Sequence, residues 1–352
     1  MSAPDFSSFP EVSKADWLQA VSAQLKRAPT YPEIEGVRLD PFAHPDDRPE
    51  AQPPIPVRAR WTVSEPVTLG SDAKAANAQL LEGLNGGVQA PELIVGENVA
   101  EGELRQLLAE VAPAYVDLHW VASVSNADLL NRLSTVLNAG WSGTIYTSNL
   151  DEAWDWLTNP KPQLNVRLLG IATPERLGEE LPVSQLTALV EATGHLFTEG
   201  IRKGFSPAHI AAQLHYRIPV GRQYLIEIAK LRALRILLAG AFTEHKLKNV
   251  PLPVLATYAH PAAYDDSNYT NMIRWGTITL ASVVGGADRI IATGAPGSEA
   301  LNIDFTQRIA RNALHLLQLE SGLAERHDPA AGSFYLEETT DRLVAAVLER
   351  LG

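Results

Sequence analysis

The chain has 352 residues, which is enough for one (β/α)8 barrel with an added segment or for about two domains of average size. Lysine and arginine number 29 against 41 aspartates and glutamates, and the resulting formal net charge of −12 argues against nucleic acid and anionic membrane surfaces as partners. Cysteine is absent, which excludes disulfides, thiolate nucleophiles and cysteine-ligated metal centres.

The N-terminal stretch contains Asp5, Glu11 and Asp16 and lacks the basic and apolar regions of a signal peptide. No uncharged apolar run reaches the roughly 18 residues that a membrane-spanning helix needs. We therefore predict a cytoplasmic globular protein.

Residues 1–60 are predicted to form a helix followed by an extended arm. Ser13 precedes ADWLQAVSAQLKR, whose apolar residues recur every four positions, as in a capped amphipathic helix. The segment 27–60 is rich in proline, which favours an extended arm over a helix or a central strand. Such an arm gains order only by burying apolar side chains on this chain or on a partner, and both possibilities stay open for Tyr31, Phe42, Ile55 and Val57.

Residues 61–352 alternate between short β-branched runs and helical patterns, as βα units require. The strand candidates are 92–96, 115–122, 143–148, 165–172, 209–217, 254–260, 288–294 and 332–338. Eight strands joined by right-handed crossovers close most economically into a (β/α)8 barrel. A doubly wound open sheet is the alternative, but the turn GENVAEGEL lacks the phosphate-binding pattern G-x-G-x-x-G.

Candidate functional residues of such a barrel lie where its strands end. The polar residues predicted there are Glu97, Asn98, Ser123, Ser148, Asn149, Thr173, Glu175, Arg217, His260, Thr293 and Glu337. His215 and Arg217 are two residues apart on one strand and face the same side, so they form the best pair for an anionic ligand, with His260 as a further weak candidate. An ordinary polar pair in the barrel wall is the competing interpretation.

Other polar residues have simpler interpretations. His119 lies inside the hydrophobic strand YVDLHWVA and is predicted to be a hydrogen-bonded core residue rather than a catalytic base. Lys230, Arg232 and Arg235 interrupt the apolar helix YLIEIAKLRALRILL and are predicted to form its polar arc.

The segment 283–343 carries two glycines ahead of a strand, then FTQRIARN, then ES, then DPAAGSFYLEE. These motifs resemble the end of the substrate barrel in methylmalonyl-CoA mutases, where the pattern is F-S-x-R-I-A-R-N, E-S and D-P-x-x-G-S-Y-Y-V-E-x-L-T. The matching residues are Phe305, Arg308, Ile309, Ala310, Arg311, Asn312, Glu320, Ser321, Asp328, Pro329, Gly332, Ser333, Tyr335, Glu337 and Thr340. Residues 226–235 and 269–275 are also similar, and residues 9–26 resemble the opening of the family's small subunits.

The sequence departs from the catalytic members at three motifs. Their glycine-led strand reads G-G-T-Q-S-L-H-T-N, and here Asp288 replaces the glutamine and Ile291 replaces the histidine. Their S-G-Y-H-M tyrosine corresponds to Ile171, and the motif R-T-H-x-Q-T-S-G-W-S does not occur ahead of Tyr269. Isoleucine neither donates a hydrogen bond nor transfers a proton, so no catalytic residue is predicted at these degenerate positions. Ile290 and Ile291 further predict a narrow, apolar lumen.

The resemblance therefore implies the non-catalytic small subunit of a heterodimeric methylmalonyl-CoA mutase. The catalytic large subunit would bind adenosylcobalamin and interconvert methylmalonyl-CoA and succinyl-CoA. The cobalamin-binding motif D-x-H-x-x-G does not occur in this sequence, so we predict that residues 61–352 form the barrel, with no cobalamin-binding domain and no cofactor held by this chain. Two alternatives stay open: an acyl-CoA mutase barrel of altered specificity that works with a separate cobalamin domain, and a module that binds a CoA ligand.

Overall fold

The computed structural model describes residues 10, 12–40, 42–47, 55, 60–96, 99–122, 129–137, 141–147, 149–159, 165–174, 176–247, 250–265, 267–295 and 302–352. Within them, eight parallel strands form the centre of the molecule. They are β1 (Thr62–Ser64 continuing as Pro66–Leu69), β2 (Glu92–Val95), β3 (Asp117–Ala122), β4 (Ser142–Tyr146), β5 (Asn165–Arg167 continuing as Leu169–Ala172), β6 (Leu214–Val220), β7 (Val254–Ala259) and β8 (Arg289–Ile291).

Strand pairing runs from each strand to the next and returns to its start. In β1, Thr62–Ser64 pairs with β8 and Pro66–Leu69 pairs with β2. In β5, Asn165–Arg167 pairs with β4 and Leu169–Ala172 pairs with β6. The remaining neighbours pair in parallel as well. The chain is therefore an α/β protein with a (β/α)8 barrel, as predicted.

Helices follow the strands and form the outer layer. Their bounds are α1 (Lys14–Leu25), α2 (Ala73–Asn85), α3 (Glu101–Leu107), α4 (Leu129–Val136), α5 (Leu150–Thr158), α6 (Pro182–Arg202), α7 (Pro207–Gln213), α8 (Tyr224–Glu244), α9 (Asn268–Val284), α10 (Ile303–Leu319) and α11 (Phe334–Leu351). The apolar core lies between strands and helices and contains Trp120, Trp154, Phe197 and Tyr216, each less than 2% exposed.

Two of the predicted strands need correction. Residues 332–338 are the start of α11 and not a strand: Gly332 has a φ of 82°, and its amide donates to the Glu337 carboxylate at 2.7 Å, which stabilises the helix start. The strand missed from the sequence is β1, whose alternation is hidden by Glu65 and Pro66. Residues 209–213 belong to α7, and β6 runs on to Val220.

The predicted polar arc on α8 is wrong, because α8 lies under α11 and packs against α6 and α9. Lys230, Arg232 and Arg235 are 1%, 3% and 3% exposed. Each has a carboxylate partner: Glu227 at 2.5 Å from Lys230, Asp328 beside Arg232, and Asp288 at 3.0 Å from Arg235. A cation deprived of water needs such a partner.

The predicted N-terminal helix is confirmed as α1, which begins after a capping box formed by Ser13 and Asp16. It buries no residue. Trp17 stacks on Phe42 with ring centroids 4.8 Å apart, and Phe42 stays 38% exposed.

Part of the arm folds onto this chain as a two-stranded hairpin, Glu33–Ile34 with Val37–Arg38. Glu35 and Gly36 have φ values of 51° and 83°, as a tight hairpin turn requires. The Glu35 carboxylate accepts from the backbone N–H of Val183 at 2.6 Å, at the start of α6. Ile55 is likewise held through its amide by Asp328, at 2.9 Å. Val57 lies outside the described residues.

Candidate functional site: the barrel lumen

Every second residue of a barrel strand faces the lumen, and here the lumen holds a charged cluster. Arg217 on β6 donates to both oxygens of Glu92 on β2, at 3.1 Å from Nε and 2.7 Å from Nη2. Arg289 on β8 donates from Nη2 to the same carboxylate at 3.3 Å. Glu92 is 1% and Arg289 3% exposed, so the cluster is shielded from bulk water.

Two histidines share this space and are held neutral. Burial, with the nearby cation of Arg289, places the pKa of His119 well below its ordinary value. Burial also lowers the pKa of His215 to about 3, although its contact with the Gln213 carbonyl acts in the opposite direction. His119 Nδ1 is hydrogen-bonded to Thr144 Oγ1 at 2.9 Å, as predicted for a core histidine.

The lumen beside His215 is tightly packed. Gly170 pairs with His215 across β5 and β6, and a Cβ atom at Gly170 would lie 2.7 Å from His215 Nε2 and 2.6 Å from a ring carbon of Tyr146. Only glycine fits at this position. The layer has no room for a further ligand group beside the histidine.

A cavity of about 530 Å³ reaches the cluster from outside. Its lining consists of Glu65, Pro66, Thr68, Gln79, Glu82, Glu92, Ile94, Arg217, Thr293, Ile303, Asp304, Gln307 and Arg311. These residues belong to β1, β2, β6 and the segment after β8 on one side and to α2 and α10 on the other. The cavity therefore lies at the junction of β1 and β8. There β8 ends at Ile291, and among the described strands the segment Pro66–Leu69 of β1 pairs with β2 and not with β8.

Arg311 and Glu65 form an ion pair of 2.7 Å in the wall of this cavity. Burial raises the pKa of Glu65 despite the opposing effect of the arginine. Arg311 belongs to the FTQRIARN motif, so this part of the motif has a packing role between α10 and β1.

The predicted pair of His215 and Arg217 faces the lumen together, but Arg217 already binds Glu92. Burial alone would lower the pKa of Arg217, and Glu92 outweighs this effect and raises it. His260 lies apart from the cluster: Nδ1 accepts from the Ala262 amide at 3.1 Å and Nε2 contacts the Leu177 carbonyl at 3.3 Å. It caps a short helical turn.

The other predicted mouth residues do not converge. Asn149 caps α5, and Thr293 lines the cavity. Thr173 is buried, and its backbone N–H donates to the Arg217 carbonyl at 3.2 Å. Glu337 lies in the first turn of α11, because the strand predicted to precede it is a helix. Glu97, Asn98, Ser123, Ser148 and Glu175 lie outside the described residues.

The three degenerate positions face in different directions. Ile171 pairs with Tyr216, whose hydroxyl is 2.7 Å from Thr193 of α6, so Ile171 faces the helix layer. Asp288 also faces that layer, where it accepts from Leu255 N at 2.8 Å and pairs with Arg235. Ile291 faces the lumen and is fully buried.

The expectation of an apolar lumen is wrong in part. Ile290 points into the helix-side core, and the lumen contains the ionic side chains of Glu92, Arg217 and Arg289. Sequence reasoning missed Glu92 and Arg289 because each lies at the start of an apolar strand. The signal available in the sequence was the charged residue that begins each of the strands ELIV and RII, because the alternation of side chains along a strand places it in the lumen.

Among the described residues, no group of three or more histidines and carboxylates is arranged to hold a metal ion. In the same part of the chain, none of the helices combines the length and apolar character needed to span a bilayer.

Strand order and lumen define this molecule as a (β/α)8 barrel protein whose interior is occupied by an ionic cluster. Residues 184–352 match the family model described as methylmalonyl-CoA mutase. The methylmalonyl-CoA mutase small subunit of Porphyromonas gingivalis is 24% identical, covering 96% of this chain and 62% of that protein. A probable small subunit of Mycobacterium tuberculosis is 28% identical over 84% of this chain and 52% of that protein. A Streptomyces virginiae small subunit is 34% identical over 44% of this chain and 26% of its own length.

Over residues 184–352 the chain is similar to the methylmalonyl-CoA mutase family, and the relatives that align with most of its length bear the name of small subunits. It spans about half to three fifths of the length of those relatives.

Proposed function

We propose that this chain is the non-catalytic small subunit of an adenosylcobalamin-dependent methylmalonyl-CoA mutase of the cytoplasm. Its role is to assemble with a catalytic large subunit that holds the cofactor and interconverts methylmalonyl-CoA and succinyl-CoA. The observation that carries the proposal is the lumen, where Glu92, Arg217 and Arg289 stand in contact at the centre of the barrel.

A mutase of this family needs open space along the barrel for its thioester substrate and polar groups to act on it. The lumen instead has Ile291, which is fully buried, where the resemblance assigns a catalytic histidine, and elsewhere in the lumen Gly170, Tyr146 and His215 are closely packed against one another. Opening this space would cost free energy, because separating the members of the ionic cluster would leave buried charges unpaired. These features favour a barrel whose role is assembly with a partner rather than catalysis.

The exposed apolar side chains of the N-terminal segment support contact with a partner subunit. α1 buries none of its residues on this chain, and the neighbouring side chains Val12, Leu25 and Phe42 are 53%, 49% and 38% exposed. An amphipathic helix with an exposed apolar side is a site where another subunit can pack.

The test of this function is co-expression with a large subunit that carries the G-G-T-Q-S-L-H-T-N motif. We expect the two chains to co-elute in size-exclusion chromatography and to interconvert the two CoA esters, while this chain alone with adenosylcobalamin converts neither. Ile291→His, alone or with Asp288→Gln, should leave the isolated chain inactive, since Asp288 faces Arg235 rather than substrate. Turnover by the isolated chain would refute the proposal.

The proposal assigns α1 to contact with the partner and the hairpin to this barrel, and this assignment predicts different outcomes for two changes. Deleting residues 1–30 removes α1 and should change the free energy of unfolding by less than about 1 kcal/mol, because none of the residues of α1 is buried. It should weaken pairing with the large subunit at least tenfold.

The matched change is Glu35→Ala, which removes the carboxylate that holds the hairpin to α6. It should cost about 1 to 3 kcal/mol of stability and leave pairing unaltered. Thermal melting and co-purification measure both variants. A truncated chain that melts much earlier yet pairs normally would show that α1 belongs to this barrel.

A further inference from the structure

Helix α1 is attached to this chain by contacts in which none of its own residues is buried. Lys14 Nζ donates to Asp47 Oδ2 at 2.6 Å, and Trp17 stacks on Phe42. Both contacts lead to residues that follow the hairpin. We refer to α1 together with residues 42–47 as the N-terminal unit.

The hairpin is anchored to the barrel by other means. Val37 and the adjoining Leu39 are buried in the apolar core. The Glu35 carboxylate accepts from the start of α6 and from Arg350 Nη1 of α11, the latter at 3.1 Å. The hairpin therefore has attachments to the barrel that do not involve α1.

One carboxylate connects α1, the hairpin and α11. Asp40 accepts from Arg342 Nη2 of α11 at 2.8 Å and from Arg38 Nε of the hairpin at 2.9 Å. The same carboxylate lies 3.6 Å from Lys14 Nζ of α1. Its side chain is buried, whereas the three cations keep part of their surface in water. Burial would raise the pKa of Asp40, but the cations outweigh this effect and lower it, so the carboxylate is charged at neutral pH.

We propose that Asp40 is an ionic latch, which fixes the N-terminal unit against α11 and releases it when salt screens its three ion pairs. Salt weakens ion pairs that are partly exposed, but it does not screen the burial of Val37 and Leu39. The latch therefore frees α1 while the hairpin stays in place.

The consequence for assembly rests on the proposed function. A latched α1 presents its apolar side to the large subunit in one orientation, so less freedom is lost when the two chains pair. Asp40 is then a positioning residue for the partner interface.

Spin labels measure the position of α1. The chain contains no cysteine, so Gln19→Cys on α1 and Ala345→Cys on α11, both at exposed positions, carry the labels at defined sites. Pulsed EPR should give one narrow distance distribution in about 0.1 M sodium chloride. It should become roughly twofold wider in about 1 M, where the Debye length has fallen from about 10 Å to about 3 Å. Asp40→Asn should give the wider distribution in both salts.

A label on the hairpin controls for wider unfolding. Glu33→Cys replaces Gln19→Cys in this pair, and its distance to position 345 should stay narrow in both salts and in Asp40→Asn. The variant should fold, because Arg342 keeps Glu338 as a partner. Should it fail to fold, the response of the parent chain to salt still decides.

The matched charge control is Glu338→Gln. It removes the other carboxylate that Arg342 contacts, within α11, and leaves Asp40 with its three cations. The distance distribution of α1 should therefore stay narrow in about 0.1 M salt.

The proposal is overturned if α1 keeps its narrow distribution both in Asp40→Asn and at high salt, because the stacking of Trp17 on Phe42 would then be sufficient to hold it. A hairpin label that broadens together with α1 would also overturn it, as would a broad distribution of α1 in the parent chain at low salt.

Co-purification with the large subunit separates this result from the proposed function. Release of α1 in Asp40→Asn with weaker pairing than the parent chain supports both the latch and the role of α1 at the interface. Release of α1 with unchanged pairing supports the latch and removes α1 from the proposed interface.

Discussion

Glu92→Gln is expected to destabilise the protein by about 3 to 5 kcal/mol, a large part of the total stability of a typical domain. The side chain keeps its shape and loses only its charge. Arg217 and Arg289, which share this carboxylate at 2.7 and 3.3 Å, would then lose the counter-charge that both of them contact. Urea unfolding of parent and variant measures the loss.

A double variant separates this electrostatic cause from a packing defect. Adding Arg289→Leu to Glu92→Gln removes one of the two stranded cations and should recover part of the lost stability. The two changes should therefore be strongly non-additive, as expected for groups in contact. A Glu92→Gln variant within 1 kcal/mol of the parent would show that the lumen is hydrated well enough to screen the arginines, and the obstructed lumen would lose its main support.

Acid is expected to destabilise the parent protein well above the pH at which most carboxylates titrate. The pKa of His215 is about 3 in the folded chain, against about 6.5 for an unfolded chain, and the pKa of His119 is lowered as well. Between these values the unfolded state binds more protons than the folded state, so stability falls as the pH falls. Each such histidine contributes about 1.4 kcal/mol per pH unit within this window.

His215→Asn should flatten the dependence of unfolding free energy on pH between about 6 and 4 by that amount. Burial is the main cause of the low pKa of His215, and the cations that add to this effect, Arg289, Arg167 and Arg217, remain in the variant. His209 is exposed on α7, and His209→Gln serves as the matched control that should leave the slope unchanged. Equal slopes for parent and His215→Asn would mean that His215 is protonated in the folded protein.

Much of the fold could be predicted from local sequence patterns. Ser13 and the four-residue spacing after it predicted α1 with its cap, and short β-branched runs located seven of the eight barrel strands. These features depend on neighbours close in sequence, which is why they could be predicted. The error at 332–338 has the same origin, since a short aromatic and apolar run at a helix start looks like a strand until the hydrogen bond from Gly332 to Glu337 is seen.

The sequence by itself determined the barrel class and the family resemblance, and it led to the prediction that the catalytic motifs are lost at Asp288 and Ile291, because each of these depends on residue types and short spacings. Only the tertiary structure decided which charges are buried and how they pair. Glu92 meets residues 125 and 197 positions away, and Arg235 meets Asp288 across 53 positions. Local patterns do not encode such partners. Helix α11 buries α8 and so turns a predicted polar arc into three ion pairs, and barrel closure places Arg217, Arg289 and Glu92 in one lumen, where their charges must balance because water is excluded.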